Sequence, residues 1–212
     1  MDPAALLKQK TVASWNELAQ RYADKFMGLE IYHPSYRHFF DLLQAKSTVL
    51  EIGAGPGVLA DFAMQAYPQL DMIVTDAAPE MLALSQKRLP CYQHQVLRAE
   101  DLGAFPSIVN GIAIAFCIPY LPFEDVELVI SSATKKLHPQ GALYISFMED
   151  DYTASGLHRG STGHEMMVYY YPESQITNWL TTAGFSIVYK ESLPPGDLTS
   201  KRQCLIVARK TN

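Results

Sequence analysis

A chain of 212 residues is the length of one domain and is enough to bury a sizeable core. Its formal net charge of −5 and pI near 5.6 argue against the clustered Lys and Arg of a nucleic-acid binder. The stretch Met1 to Lys8 has no basic leader before a long apolar core, and the longest nearly apolar run, 112–123, holds two prolines and is too short for a bilayer, so the expectation is a soluble cytoplasmic protein with no membrane partner. Residues 4–27 place Leu7, Val12, Trp15, Leu18, Ala19, Tyr22 and Phe26 at mostly three- and four-residue spacing, which predicts a leading amphipathic helix with a candidate break near Thr11. His33-Pro34-Ser35 opens a second helix whose inward face is Tyr36, Phe39, Phe40 and Leu43.

Thr48 to Ile52 is a short run of β-branched and apolar residues, the pattern of a strand buried on both faces, and a helix follows over about 57–67. Leu70 to Thr75 predicts a second strand that ends at Asp76, and Pro79 starts a helix that Pro90 stops. Tyr92 to Leu97 is a third strand, 98–108 a loop, and Gly111 to Phe116 a fourth strand. The helix Glu124 to Leu137 is closed by His138-Pro139-Gln140-Gly141, and Ala142 to Met148 is a fifth strand. From Glu149 to Tyr171 periodicity is lost and polar, glycine and tyrosine residues mix, which predicts a long excursion of the kind that carries function or disorder. Pro172 starts a last helix capped by Gly184; Phe185 to Tyr189 and Cys204 to Arg209 read as an antiparallel pair joined by Pro194-Pro195-Gly196-Asp197. Strands alternating with helices predict a doubly wound α/β fold with a mostly parallel sheet and helices on both faces. The whole chain reads as one domain: a helical cap over 1–46, a core over 47–149, an insertion over 150–171, and a closing helix and hairpin over 172–212.

The most informative stretch joins the first strand to its helix. Gly53, Gly55 and Gly57 strip every Cβ from one side of that turn, so a ligand can lie against the main chain and positive φ costs nothing. The loop opens a helix N-terminus, whose free N–H groups suit an anionic or carboxylate-bearing ligand. Position 58 is Val, so the glycine spacing departs from the dinucleotide fingerprint and nicotinamide binding is disfavoured. Glu51 lies inside the apolar strand, where an unpaired charge is costly, and therefore needs a partner.

This Glu-x-Gly-x-Gly-x-Gly pattern resembles the first motif of the class I S-adenosylmethionine-dependent methyltransferases. The resemblance implies a seven-stranded sheet in the order 3-2-1-4-5-7-6 with the last strand antiparallel. It also implies that S-adenosylmethionine is the cofactor, its methionyl end held by Gly53, Ala54, Gly55 and Gly57, with Glu51 close by. Asp76, nineteen residues beyond Gly57, stands where the family places the acid that accepts from both ribose hydroxyls, a task suited to a carboxylate; a solvated strand-end Asp is the alternative. Ala77 would pass under the adenine and Met81 pack on its face, with core packing the alternative for Met81. Ala99 and Glu100 fall in the segment that holds the adenine edge. Arg98 departs from the family's acidic residue there, so either Glu100 or Asp101 takes the amino-group contact or the contact is lost. Phe116 and Cys117 would flank the methionyl part, and His138-Pro139-Gln140-Gly141 and Ala183-Gly184-Phe185 resemble later corners of the family, so that the resemblance runs over about 45–209. Trp15 and Tyr22 either form a lid over the donor or pack against the sheet.

Methyl transfer from a sulfonium is an in-line displacement in which the protein supplies alignment, desolvation and sometimes a base. Candidates for that base are His33, Tyr120, Glu149, Asp150, Asp151, His158, His164 and the tyrosines at 169, 170 and 171, each with a surface or packing role as its alternative. The two histidines of the excursion lack a ligand set, and Cys91, Cys117 and Cys204 are odd in number and far apart, so no metal site and no disulfide framework is expected. The acceptor is expected to be a small or medium-sized organic molecule, in a crevice that Gly53, Asp76, Phe116 and Glu149 point into and that 14–36 and 149–171 roof. Oligomeric state is not legible. The rival from another class is a binding or partner subunit that uses the same fold without transferring methyl.

Overall fold

The computed structural model describes residues 3–160, 163–196 and 199–211, with side chains from residue 5 onward. Two helices lead, α1 (Pro3–Phe26) and α2 (His33–Phe40). Strands and helices then alternate as β1 (Thr48–Ile52), α3 (Val58–Ala66), β2 (Asp71–Asp76), α4 (Pro79–Arg88), β3 (Gln93–Val96), β4 (Val109–Ile114), α5 (Phe123–Lys136) and β5 (Leu137–Glu149). A hairpin of β6 (Gly156–Arg159) and β7 (Glu165–Val168) intervenes before α6 (Glu173–Thr182), β8 (Phe185–Leu193) and β9 (Arg202–Lys210). Among the described residues no helix is long and apolar enough to cross a membrane.

Seven strands form one sheet in the order β3-β2-β1-β4-β5-β9-β8. With the separate β6–β7 hairpin left out of the count, this is the expected order, and β9 runs antiparallel to both β5 and β8. β1 lies in the middle, paired in parallel with β2 and β4. A strand so placed is covered on both faces, which is why Val49, Leu50, Glu51 and Ile52 are all buried. Alternation then assigns the faces: Leu50 and Ile52 pack with α5 and α6 (Val126, Ile130, Leu180), while Val49 packs with α2, α3 and α4 (Phe39, Leu59, Leu82). Glu51 shares Val49's face.

Three local expectations are corrected. α1 runs unbroken through Thr11, whose hydroxyl donates to the Leu7 carbonyl at 3.0 Å and so has no need to leave the helix. His138-Pro139-Gln140-Gly141 does not stand before the fifth strand but lies inside it, with Gln140 at φ +62° and a register shift against β4 between Val109 and Gly111. The excursion after Glu149 is not irregular throughout: β6 and β7 pair antiparallel from Gly156↔Val168 to Arg159↔Glu165. Four-residue strands carry too little alternation to be read from periodicity. The closing β8–β9 pair is as expected but longer, and Asp197 of its connection lies outside the described residues.

Candidate active site

The carboxyl ends of β1, β2 and β4 open into a cavity of about 240 Å³ covered by α1. Its floor is main chain. Gly53 (φ +67°) follows β1, and a Cβ there would stand 2.7 Å from the Cys117 Cβ beyond β4, so the two strand ends approach at a distance only glycine allows. Gly55 (φ +58°) points its absent side chain at Tyr22 and Met81, at 3.7 and 3.9 Å, which is toward the cavity. Gly57 (φ +91°) differs from both. It caps α3, a Cβ on it would meet Ser85 Oγ at 2.7 Å and Leu89 at 2.9 Å, and it does not line the cavity. Its glycine serves the contact of α3 with α4.

Three carboxylates face this space. Glu51 is 1 % exposed, and its Oε2 is buried without a hydrogen-bond partner. Burial first, and then the charge of Asp76, push its pKa up to about 8 against a hydrogen bond from the Ala60 backbone. Asp76 accepts from the Gly55 N–H through Oδ2 and from the Ala78 N–H through Oδ1, both at 2.7 Å, and so ties the loop after β1 to the loop after β2. Burial raises its pKa, and these backbone hydrogen bonds oppose the rise. Glu100 behaves in the opposite sense: burial pushes it up, but its own backbone N–H, Arg98 and Lys8 outweigh that and hold it below the usual carboxylate range. Arg98 reaches Glu100 Oε1 through Nε at 2.9 Å and a terminal nitrogen at 2.8 Å, while Lys8 of α1 stands 3.6 Å away. Of the two acids weighed for the adenine edge, Glu100 lines the cavity and Asp101 does not.

The aromatic stripe of α1 forms the roof. Trp15 meets Tyr22 and Tyr120 edge to face, at 5.3 and 5.0 Å between centroids, and Tyr22 stacks on Phe26 at 4.3 Å. Glu51, Gly53, Ala54, Gly55, Asp76, Ala77, Met81, Ala99, Glu100, Phe116 and Tyr22 all line this one cavity. Phe116 does so from a positive φ of 53°, held by a hydrogen bond from its N–H to Ser146 Oγ at 2.9 Å. A bulky residue in that conformation is a strained one, and strain of this kind gathers at ligand sites.

The expected second half of the roof is corrected. Among the described residues of 149–171 none lines the cavity, whereas α1 covers it from Lys8 onward. The hairpin braces α1 from outside, where Ser14 Oγ donates to the Glu165 carbonyl at 2.9 Å and His164 pairs with Glu17 at 2.7 Å. Glu149 points away from the crevice and meets Arg202 at 3.5 Å. Of the ten candidate bases Tyr120 alone lines the cavity. His33 rests on Phe62, Asp150 pairs with Lys201, Asp151 accepts from the Thr153 N–H, and His158 bonds Tyr170. Tyr169 and Tyr171 bond the Pro119 and Leu121 carbonyls from behind the site. Tyr32 and Tyr36, within the expected roof segment 14–36, line the cavity, and sequence reasoning missed Met148 and Gln203, which line it from the side of β5 and β9. A Gln inside an apolar strand, within Arg202-Gln203-Cys204-Leu205, was the one signal of this kind.

A family model described as a methyltransferase domain matches residues 20–190. The chain therefore belongs to the class I S-adenosylmethionine-dependent methyltransferases, and S-adenosylmethionine is the cofactor of that family. The release factor glutamine methyltransferase of Staphylococcus aureus (strain NCTC 8325 / PS 47) is 28 % identical over 110 residues, which span 50 % of this chain and 39 % of that protein. Burkholderia thailandensis 1,6-didemethyltoxoflavin-N1-methyltransferase, solved with 1,6-didemethyltoxoflavin and S-adenosylhomocysteine bound, superposes with a TM-score of 0.72 at 19 % identity, covering 99 % of this chain and 89 % of its own. An S-adenosylmethionine-dependent methyltransferase of Methanosarcina mazei superposes with a TM-score of 0.69 at 16 % identity, covering 86 % and 97 %. These two structures show the fold.

Proposed function

We propose that this chain binds S-adenosylmethionine in the cavity under α1 and transfers its methyl group to a small or medium-sized organic acceptor. The observation that carries the reading is the unpartnered Oε2 of the buried Glu51, placed beside a cradle that a Cβ on Gly55 would obstruct. A carboxylate left this way lacks a cationic partner, and the bound cofactor brings an ammonium and a sulfonium. Glu51, Gly53, Ala54 and Gly55 would hold the methionyl end, Asp76 the ribose hydroxyls, Ala77 and Met81 the faces of the adenine, and Ala99 and Glu100 its edge. Gly57 acts from beneath, by setting the start of α3. Asp76 accepts from the backbone of Gly55, Ala78 and Ala77, and a carboxylate has about four acceptor sites, so it retains capacity for the diol without releasing the loops.

When bound, the cofactor supplies an electrophilic methyl group, and the chain supplies what surrounds it. Tyr22, Trp15 and Tyr120 exclude water from above, and Phe116 presses from the end of β4. Alignment and desolvation of this kind account for much of the rate of a displacement reaction. Burial raises the Tyr120 phenol well above its ordinary value, so it stays protonated and serves to orient an acceptor rather than to take its proton. The Burkholderia neighbour, whose bound compound is a small molecule, supports a small acceptor here. A cytoplasmic location is proposed with it, supported by three cysteines that are all free thiols.

Calorimetric titration with S-adenosylhomocysteine, alongside thermal shift with S-adenosylmethionine and NAD, tests the reading. Micromolar binding of the first two and none of the third is expected. Binding of NAD in their place would overturn it, and cofactor binding with no turnover across acceptor classes would favour a cofactor-holding subunit.

A further inference from the structure

The far end of the cavity has a chemistry of its own. Resting on the methyltransferase reading, we propose that this lobe is an acceptor subsite in which the side-chain amide of Gln203 selects an uncharged, planar heteroaromatic compound bearing a carbonyl or ring-nitrogen acceptor. Gln203 stands on β9, where Cys204, Leu205, Ile206 and Val207 are all 0 % exposed, and is itself 4 % exposed. A primary amide in such a place is costly unless its groups are paired. Its Oε1 accepts from the Tyr32 hydroxyl at 2.6 Å, a contact that spans 171 positions of sequence and orients the amide. Its Nε2 has no hydrogen-bond partner among the described residues, although Gln203 and Tyr32 both line the cavity. Two N–H donors are thus presented to whatever fills the lobe.

The walls set the rest of the selection. Trp15 meets Tyr120 at 5.0 Å, and Tyr32 leans on Phe116 at 5.0 Å, leaving a space bounded by ring faces and edges. Of the charged residues in the lining, the two cations Lys8 and Arg98 are already paired with Glu100, and the unpaired Glu51 and the diol-binding Asp76 are taken by the cofactor in this reading. A carboxylate or ammonium acceptor would be desolvated here with no counter-ion, whereas a neutral ring with one acceptor atom gains aromatic contact and meets the free amide. Sites built to hydrogen-bond one group discriminate strongly against compounds that lack it.

The test uses the full chain saturated with S-adenosylhomocysteine and a fragment set of neutral heterocycles (2-quinolone, 4-quinolone, 2-pyridone, isoquinoline), each beside its carboxylate and aminomethyl analogues, with binding read by ligand-observed NMR titration. Neutral members should bind and their charged analogues should not. Gln203→Met should weaken the best of them at least about tenfold, the loss of one buried hydrogen bond, while its affinity for S-adenosylhomocysteine stays within about twofold of the parent and so reports an intact fold. Tyr32→Phe, which frees Oε1 and lets the amide turn, should weaken the same compound to a lesser degree. Binding of no neutral member, preference for the charged analogues, or undiminished binding in Gln203→Met overturns the proposal. Failure of the parent chain to bind S-adenosylhomocysteine at all would instead overturn the methyltransferase reading beneath it.

Discussion

The two ends of the cavity are built by different means. The cofactor end is made from the turns that follow β1, β2 and β4 and the segment after β3, largely from backbone, with each contributing stretch a few residues long. The far end is made from side chains that converge from α1, the turn before α2 and β9. The contrast appears in single contacts: Asp76 holds Gly55 across 21 positions, while Tyr32 holds Gln203 across 171. A backbone cradle tolerates little variation in sequence, because a Cβ in it fills ligand space. A side-chain lobe can be rebuilt one residue at a time, so one fold can serve many acceptors.

The largest expected effect probes the cradle. Gly55→Val should abolish binding of S-adenosylhomocysteine while far-ultraviolet circular dichroism stays that of the parent, since its φ of +58° disfavours a β-branched residue and its side chain would enter the space beside Tyr22 and Met81. Normal affinity would mean that the cofactor lies elsewhere. Asp76→Ala comes next. It removes an acceptor for the diol and also unties Gly55 from Ala78, and with charge-assisted hydrogen bonds worth about 1.5–3 kcal/mol each the affinity should fall at least about a hundredfold by calorimetry.

Glu51 sharpens the comparison through pH. Its folded pKa of about 8 lies above its ordinary 4.5, so the fold favours the protonated form. That contribution is complete below 4.5 and is lost as pH rises toward 8. Without cofactor, Glu51→Gln should therefore gain thermal stability relative to the parent as pH rises through this window. A cationic ligand favours the ionised form, so parent affinity for S-adenosylmethionine should climb between pH 6 and 8 with proton release, and the variant should lose that slope. Titration in buffers of different ionisation enthalpy would show the protons, and a flat profile in the parent would sink the assignment.

Smaller effects belong to the roof. Trp15→Ala removes two edge-to-face contacts, each worth about 0.5–1.5 kcal/mol, and should raise the acceptor KM severalfold with less effect on cofactor affinity. The smallest is Ser14→Ala, which frees the Glu165 carbonyl and should cost about 1 kcal/mol of stability in urea unfolding. A large loss of turnover in Ser14→Ala would show that the hairpin does more than brace α1.

What the amino-acid sequence determined by itself was whatever repeats along the chain or sits within one turn of it. Apolar runs such as Thr48 to Ile52 and the one that became Val109–Ile114 marked the strands of a parallel sheet, and the Glu51 to Gly57 turn carried the cofactor end, because burial on both faces and close backbone approach each restrict residue type locally. Tertiary structure alone decided the rest. It turned Gly57 toward Ser85 and Leu89 rather than the ligand, brought Lys8 of α1 to Glu100, and sent Glu149 to Arg202 instead of into the crevice. It also closed the roof with α1 and Tyr120 instead of the excursion and brought Gln203 to Tyr32, since side chains from separate elements meet only once the sheet has twisted and the helices have packed, and no spacing along the chain records that distance.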